Sequence, residues 1–271
     1  MLKQRVITAL ILLPIALGGF FLLDGWAFAA FIGGVITLGA WEWARLAGLE
    51  AQAARVGFAV LVALTLWMLY QIPVISTLLL PLALVWWVLA VPLVLRYPQS
   101  SFYWESTARR LLIGLLILLP AWKGLLLLKQ WPLANWLIVA VMVLVWAADV
   151  GAYFFGRAFG KHKLAPKVSP GKSWEGLFGG LLVSLLITAG VGLFRGWSMS
   201  ELSLALVGST LVVLVSVVGD LAESMFKRQS GLKDSSHLLP GHGGVLDRID
   251  SLTAAIPLFV VILWIAGWGK L

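Results

Sequence analysis

The stretch LSLALVGSTLVVLVSVVGDLAESMFKR, residues 202–228, decides the fold of this 271-residue chain. Up to Val218 the stretch carries no charged side chain, and at about 1.5 Å per residue such a run nearly crosses the apolar layer of a bilayer. The polar side chains that follow are spaced i, i+3, i+4 and i+7, which is one face of a continuing helix: Asp220, Glu223, Ser224 and Lys227. The stretch therefore predicts a membrane-spanning helix that carries a polar face to the membrane surface.

The composition of the whole chain agrees with that stretch. Hydrophobic residues make up 61% of the chain, charged residues make up 12%, and the mean hydropathy is +0.98. A soluble domain carries about 25% charged residues, so this chain has too little charge to cover a water-soluble body. We therefore predict an all-α, polytopic transmembrane helical bundle, and exclude a disordered chain, a fibrous fold and a secreted disulfide scaffold. The chain has no Cys, which also excludes a thiolate metal site.

About nine segments are apolar and long enough to span a membrane. They cover residues 6–23, 26–43, 56–70, 75–95, 111–128, 133–148, 174–194, 202–218 and 252–268. Residues 27–29 resemble a signal-peptidase site behind a basic N-terminal segment. We favour an ordinary first span, because the rest of the chain is equally apolar.

The positions of Lys and Arg predict the orientation of the chain in the membrane. With the N-terminus inside, 16 of the 20 basic residues fall in inside segments, one falls within a span (Lys123), and three fall outside: Lys129, Arg195 and Lys270. Basic residues favour cytoplasmic segments, so we expect a cytoplasmic N-terminus and a C-terminus outside. The two longest loops, residues 149–173 and 219–251, are then both cytoplasmic. This topology also accounts for the net charge of +8, so no nucleic acid partner is expected.

Most carboxylates of the chain gather in or beside these two loops. The seven concerned are Asp149, Glu175, Asp220, Glu223, Asp234, Asp247 and Asp250. Carboxylates at a membrane edge are costly and indicate function by default. With hydroxyls nearby and no Cys, they suit a hard cation such as Mg²⁺.

A structural interpretation of the same carboxylates is equally consistent with their spacing. Asp220 could pair with Lys227, and Asp247 with Arg248, as salt bridges at helix ends. Glu42, which lies between two Trp residues near the end of a span, is more typical of an interfacial anchor than of a ligand.

Glycines and basic residues in both loops are typical of phosphate binding. In the second loop, Gly241, Gly243 and Gly244 allow a ligand to approach the backbone, and their free N–H groups can form an anion nest. The two His residues of this loop are more typical of supporting residues than of metal ligands. The first loop carries five Lys and Arg residues among glycines and serines, although ordinary inside charge explains some of them. A nucleotide P-loop ending at Ser173 is rejected, because Pro166 occupies the leading glycine position and no strand is expected before it.

The second loop resembles the signature of the phosphatidate cytidylyltransferase family, also called CDP-diacylglycerol synthases. The matching segments are Ser224-Met-Phe-Lys227-Arg228, Lys233-Asp234 and Pro240-Gly-His242-Gly-Gly244-Val-Leu-Asp247-Arg248-Ile-Asp250. The first loop is similar to the family at Asp149, Tyr153, Gly156, Ser169-Pro170, Lys172-Ser173 and Glu175-Gly176. We therefore divide the chain into N-terminal transmembrane helices without diagnostic motifs, residues 1–140, and a catalytic transmembrane region with both loops, residues 141–271.

The resemblance implies a reaction in which CTP and phosphatidic acid form CDP-diacylglycerol and pyrophosphate. It implies Mg²⁺ as cofactor, with or without a second cation, held by Asp220 and Asp247 together with Asp149 and Asp250. The catalytic residues it implies are Lys172, Lys227, Arg228, Arg248 and Ser224. The substrate-binding residues it implies are Ser173, Lys233, His242, Gly243 and Gly244.

Two other functions remain open from the sequence. An anion transporter would also contain buried charges, although here the charges cluster at one face and the halves show no repeat. A cytidylyltransferase or kinase acting on another lipid would share the loops, whereas the pattern of the CDP-alcohol phosphotransferases is absent. For the implied function we expect membrane lipid and the two substrates as partners, a homodimer as one oligomeric option, and the cytoplasmic face of the inner membrane as the location of the site.

Overall fold

A computed structural model describes residues 2–72 and 78–269 of the chain. Within these ranges it contains nine α-helices, one 3-10 helix (Gln99–Trp104) and two short strands. The helices are α1 Leu2–Phe21, α2 Gly25–Leu46, α3 Gln52–Gln71, α4 Leu79–Leu95, α5 Thr107–Gln130, α6 Ala134–Phe159, α7 Trp174–Phe194, α8 Met199–Gln229 and α9 Leu246–Ile265. The predicted start of the fourth span at residues 75–77, the outside Lys270 and the C-terminus lie outside the described residues.

The predicted polytopic helical architecture is confirmed. Seven helices, α2, α3 and α5 to α9, are long and apolar enough to cross a membrane. Two shorter apolar helical stretches, Val6–Phe21 and Leu79–Leu95, accompany them in the described part of the chain. The count of nine spans remains a prediction, since it depends on these two stretches.

Helix α7 has the predicted bounds, and α8 continues to Gln229, as the helical spacing from Asp220 to Lys227 predicted. Helix α6 continues to Phe159 and α9 begins already at Leu246, so both are longer than the predicted spans. The loops predicted at 149–173 and 219–251 are therefore helical at their ends, and only residues 160–173 and 230–245 are not. Apolarity marks where a helix leaves the hydrocarbon, whereas a helix with a polar face continues beyond that boundary.

A small β-hairpin, which the sequence did not predict, occupies the first of these segments. Strand β1 (Lys163–Ala165) pairs antiparallel with β2 (Ser169–Ser173), and Lys163 lies opposite Ser173. The strands are short and rich in Lys, Ser and Gly, so they lack the apolar alternation that identifies a strand. The rejection of a P-loop assumed that no strand precedes α7, and that assumption is wrong, because β2 does. Gly171, Lys172 and Ser173 are, however, part of β2 itself.

Contacts between connecting segments divide them into two groups at opposite ends of the bundle. Hydrogen bonds join Ser230 to Leu46, Tyr97 to Gln229 and Arg228 to Val168, all in segments predicted to lie inside, and also join Thr8 of α1 to Pro240. A separate group joins Lys129 and Asp24, both predicted to lie outside, with Phe20 near the end of α1, and Trp197 with Trp268 at the predicted end of the last span. We call the first group the motif end, because it holds the hairpin and residues 230–245, the motif loop.

Candidate functional site

The close packing of α6 against α7 places Asp149 beside the hairpin. A Cβ added at Gly180 would lie 2.6 Å from the carbonyl oxygen of Ala148, and one added at Gly151 would lie 2.7 Å from that of Gly179. Only glycine allows two helix backbones to approach this closely. Gly151, one of the glycines that the sequence assigned to a phosphate cradle, therefore serves helix packing.

Strand β2 delivers Lys172 to the site just before α7 begins. Ser173 is buried and caps α7, because its Oγ accepts a hydrogen bond of 3.1 Å from the Gly176 N–H. The predicted substrate-binding Ser173 thus fixes the junction between strand and helix. The Nζ of Lys172, one residue earlier, lies 2.6 Å from Oδ2 of Asp220 on α8.

Asp220 connects the two motif regions at the surface of the bundle. Besides its ion pair with Lys172, it accepts a hydrogen bond of 3.2 Å from the Ser224 hydroxyl one turn later on α8. The side chains of Asp220 and Lys172 are both 26% exposed, so this pair remains accessible from solvent. The structural interpretation named Lys227 as the partner of Asp220, and the structure gives Lys172 instead.

Lys227 is buried and joins α8 to α9. Its Nζ lies 2.6 Å from Oδ1 of Asp247 and 3.0 Å from Oε1 of Glu223. Asp247 therefore pairs with Lys227 rather than with the neighbouring Arg248. A buried ammonium group is stabilised only when carboxylates oppose it at close range, so Lys227 has less freedom to bind a substrate phosphate than the sequence suggested.

The second oxygen of Asp247 organises the motif loop. Its Oδ2 accepts hydrogen bonds from the Ser235 N–H at 2.9 Å, the Ser235 hydroxyl at 2.8 Å and the Gly244 N–H at 2.8 Å. Both carboxylate oxygens are thus engaged by the protein, and the Gly244 N–H expected to bind a ligand is occupied by Asp247. A metal ion at Asp247 would have to compete with four donors.

Glu42 of α2 belongs to the same loop, a contact that the sequence did not reveal. It is 0% exposed and accepts hydrogen bonds from the hydroxyls of Ser235 and Ser236 and from the N–H groups of Val245 and Leu246. Glu42 was expected to anchor the helix at the membrane interface, and the structure shows it buried against the motif loop instead. The available signal was a carboxylate inside an apolar span, which indicates function by default.

The other side of the motif loop lines an open polar cavity of about 650 Å³. Its walls are Lys233, Asp234, His237, Leu239, Pro240, Gly241, His242, Gly243 and Arg248. A volume of this size is typical of small-molecule sites. Four predicted site residues, Lys233, His242, Gly243 and Arg248, therefore share one cavity.

The remaining predicted residues surround these contacts. Asp149 interacts electrostatically with Lys172, Asp220 and Arg248, and Asp250 interacts with Asp220. Arg228 donates to the Val168 carbonyl at 3.1 Å, and so ties the hairpin to α8. Together the cluster contains more carboxylates than cations: Asp149, Asp220, Glu223, Asp247 and Asp250 against Lys172, Lys227 and Arg248.

Comparison with known proteins gives matches along nearly the whole chain. The model of the cytidylyltransferase family matches residues 3–266. The phosphatidate cytidylyltransferase of Pseudomonas aeruginosa is 71% identical over 269 residues, which cover 99% of both chains. That of Haemophilus influenzae is 44% identical over 283 aligned positions, covering 96% of this chain and 97% of the relative. That of Staphylococcus epidermidis is 46% identical over 126 residues, covering 46% of this chain and 48% of the relative.

Proposed function

The chain belongs to the cytidylyltransferase family, and we propose that it transfers the cytidylyl group of CTP to phosphatidic acid, forming CDP-diacylglycerol and pyrophosphate. It is a nucleotidyltransferase, as are the relatives that match it from end to end. We place the reaction where the polar cavity approaches the Asp220–Lys172 ion pair. Arg248 lines the cavity and also interacts with Asp149, which interacts in turn with that pair.

The chemistry requires positioning and charge neutralisation more than proton transfer. An oxygen of the phosphatidate phosphate attacks the α-phosphorus of CTP, and the bond from this phosphorus to the bridging oxygen of the β-phosphate breaks. Pyrophosphate leaves with the bonding electrons. The attacking phosphate is already anionic near neutral pH, so no general base is needed. The residues must therefore align two anions in line and neutralise their charges.

The two anionic substrates have separate cationic partners. Lys233 and Arg248, both exposed in the cavity, would bind the triphosphate of CTP. Lys172 sits where α8 carries its polar face to the membrane surface, so it would exchange Asp220 for the lipid phosphate. Ser224 and Ser173 would support Asp220 and the strand that carries Lys172, and Lys227 would hold α8 and α9 together.

The residues fit a hard divalent cation by their chemistry. The candidate donors are carboxylate oxygens, and Asp220 interacts with both Asp149 and Asp250, so these carboxylates lie near one another. Among the described residues, no three His, Cys, Asp or Glu side chains lie close enough to form a complete metal site, so substrate oxygens would contribute ligands. We assign Asp220 and one of its two neighbours, Asp149 or Asp250, to the cation, because both oxygens of Asp247 are engaged. A bound Mg²⁺ neutralises phosphate charge.

The site would lie at the cytoplasmic face of the inner membrane. The motif end gathers most of the basic residues, which favour the cytoplasmic side, and CTP is a cytoplasmic nucleotide. One substrate is soluble and the other is a lipid, so a site at the end of the membrane helices gives access to both.

Labelled CTP distinguishes this function from the two alternatives. Purified protein is incubated with phosphatidic acid vesicles, Mg²⁺, and CTP carrying ³²P at either the α or the γ position. We expect the α label in the lipid and the γ label in pyrophosphate, with both transfers abolished by excess EDTA. The γ label in the lipid would indicate a kinase, and neither label in the lipid would contradict the proposal. Full turnover in EDTA would contradict the cation assignment alone.

A further inference from the structure

The motif loop has two sides with different partners. Residues 233, 234, 237 and 239–243 line the polar cavity, while residues 235, 236 and 244–246 face the interior of the bundle. The interior side is where the loop meets Glu42. The shape of the cavity wall therefore depends on what holds the opposite side of the same short segment.

Glu42 binds this interior side with both oxygens. Its Oε1 accepts from the Ser236 hydroxyl at 2.5 Å and the Val245 N–H at 2.9 Å. Its Oε2 accepts from the Leu246 N–H at 2.6 Å and lies 3.2 Å from the Ser235 hydroxyl. The two N–H groups belong to the start of α9, whose first amides have no partner within the helix. Glu42 thus caps α9 from a distant helix and fixes both ends of the loop.

Gly244 shows that the loop is shaped around this carboxylate. A Cβ added at Gly244 would collide with the Ser235 hydroxyl and would lie 2.5 Å from Oε1 of Glu42. The loop therefore approaches Glu42 more closely than any other residue type would allow. The same Gly244 donates its N–H to Asp247, so one residue contacts both carboxylates.

Ser235 extends the effect of Glu42 to Lys227. Its hydroxyl lies between Oε2 of Glu42 and Oδ2 of Asp247, at 3.2 and 2.8 Å. A hydroxyl has one proton and can donate to only one of the two at a time, so the position of Ser235 depends on both. Asp247 in turn holds Lys227 at 2.6 Å. Moving Glu42 would therefore shift the loop and the buried ion pair together.

We propose that Glu42 is a positioning residue for nucleotide binding: it holds the interior side of the motif loop so that the opposite side forms the CTP cavity. The proposal rests on the proposed function, because it takes CTP as the occupant of that cavity. It assigns a role in the reaction to the N-terminal half of the chain, which carries no recognisable motif.

The test compares Glu42→Gln with Glu50→Gln, which removes an exposed carboxylate just beyond the end of the same helix. Gln keeps the shape of Glu but places an NH₂ group against N–H donors. We expect the KM for CTP of Glu42→Gln to rise about tenfold, since buried donors lose their acceptor. Glu42→Asp, which keeps the charge but is shorter, should give an intermediate KM. Glu50→Gln should match the wild type.

A purely structural role would give a different result. Loss of folded protein lowers the apparent kcat and the melting temperature but leaves the KM for CTP unchanged, and that outcome in Glu42→Gln would overturn the proposal. If Glu42→Gln does not fold, the KM of Glu42→Asp decides by the same criterion. Hydrogen exchange at Val245 and Leu246 gives a readout that does not depend on catalysis. If the wild-type protein makes no CDP-diacylglycerol, the proposed function is contradicted. If the amides of Val245 and Leu246 nevertheless exchange faster in Glu42→Gln than in the wild type, the role of Glu42 in holding the loop stands.

Discussion

Among single residues, Asp220 and Asp247 occupy different electrostatic surroundings although the sequence treats them as a pair. Asp247 is held by Lys227, Ser235 and Gly244, whereas Asp220 faces the surface with Lys172 and Ser224. Asp220 is therefore the carboxylate that can exchange its partner when substrates arrive. Asp247 shapes the site from within.

Asp220→Asn should lower kcat below about a tenth of the wild-type value without reducing the yield of membrane-inserted protein. Asn is isosteric, but it removes the charge that opposes Lys172 and would attract a cation. Adding Asp247→Asn should lower the yield as well as the rate, because it removes one of the two carboxylates that oppose buried Lys227. Initial rates and yields of all three proteins provide the measurement.

Asp24→Asn is the matched control, since Asp24 also pairs with a lysine, Lys129, but at the opposite end of the bundle. Its rate should equal that of the wild type. If Lys172→Gln restored the rate of Asp220→Asn, the pair would be only a structural salt bridge.

Gly244→Ala should displace Ser235 and Glu42 from their positions at the motif loop. The added methyl group would collide with Ser235 and Glu42, and such overpacking costs about 1–3 kcal/mol. Activity should fall at least about tenfold, and the melting temperature should decrease. Gly171→Ala in the hairpin, where a Cβ would meet nothing within 4 Å, should retain the activity and the melting temperature of the wild type. Equal behaviour of the two variants would contradict the described loop.

The sequence identified most residues of the site but not the partners of each. The spacing of Asp220, Ser224 and Lys227 in the sequence predicted that they share one face of α8, because the positions of neighbouring side chains on a helix follow from helix geometry. The ion pair of Asp220 with Lys172 joins segments far apart in the chain, and no local pattern encodes such a contact. Glu42 was misjudged for the same reason, since its four donors all come from the C-terminal region.

At the level of elements, the glycines of α6 and α7 set the distance between Asp149 and Lys172. Gly180→Ala should lower the melting temperature and the activity together, because the new Cβ would lie 2.6 Å from the Ala148 carbonyl oxygen. The cost of forcing the helices apart is about 1–3 kcal/mol. Gly190→Ala, which lies in open space on the same helix, is the control and should change neither thermal unfolding nor initial rates. A Gly180→Ala protein as stable and active as the control would contradict the close packing.

The sequence predicted that the elements are helices, and in which order they follow, because a long apolar segment that crosses a bilayer must satisfy its backbone hydrogen bonds internally. The extension of α8 was also predictable, from the helical spacing between Asp220 and Lys227, but the ends of α6 and α9 at the motif end were not. The hairpin was also missed, because Pro166, Pro170 and Gly171 resemble an ordinary loop. In each case, tertiary contacts rather than local composition determine the structure.

For the whole molecule, the separation of connecting segments onto two ends makes the topology testable. The chain contains no Cys, so single introduced cysteines can be labelled without background. In inside-out vesicles, a membrane-impermeant maleimide should label Glu105→Cys and Lys161→Cys at the motif end and leave Arg195→Cys unlabelled. Right-side-out vesicles should give the reverse. Labelling of Lys161→Cys and Arg195→Cys from the same side would contradict the alternation of spans.

The length of α8 ties the depth of the reaction site to the thickness of the membrane. Its 31 residues extend about 46 Å, whereas the hydrocarbon core measures about 30 Å, so Asp220 emerges close to one surface. In a bilayer of longer acyl chains, hydrophobic mismatch would draw this carboxylate toward the hydrocarbon, which is unfavourable for a charged group. Turnover should therefore decline in thicker bilayers, and the rate at which the protein supplies a lipid precursor would depend on the dimensions of the membrane built from it.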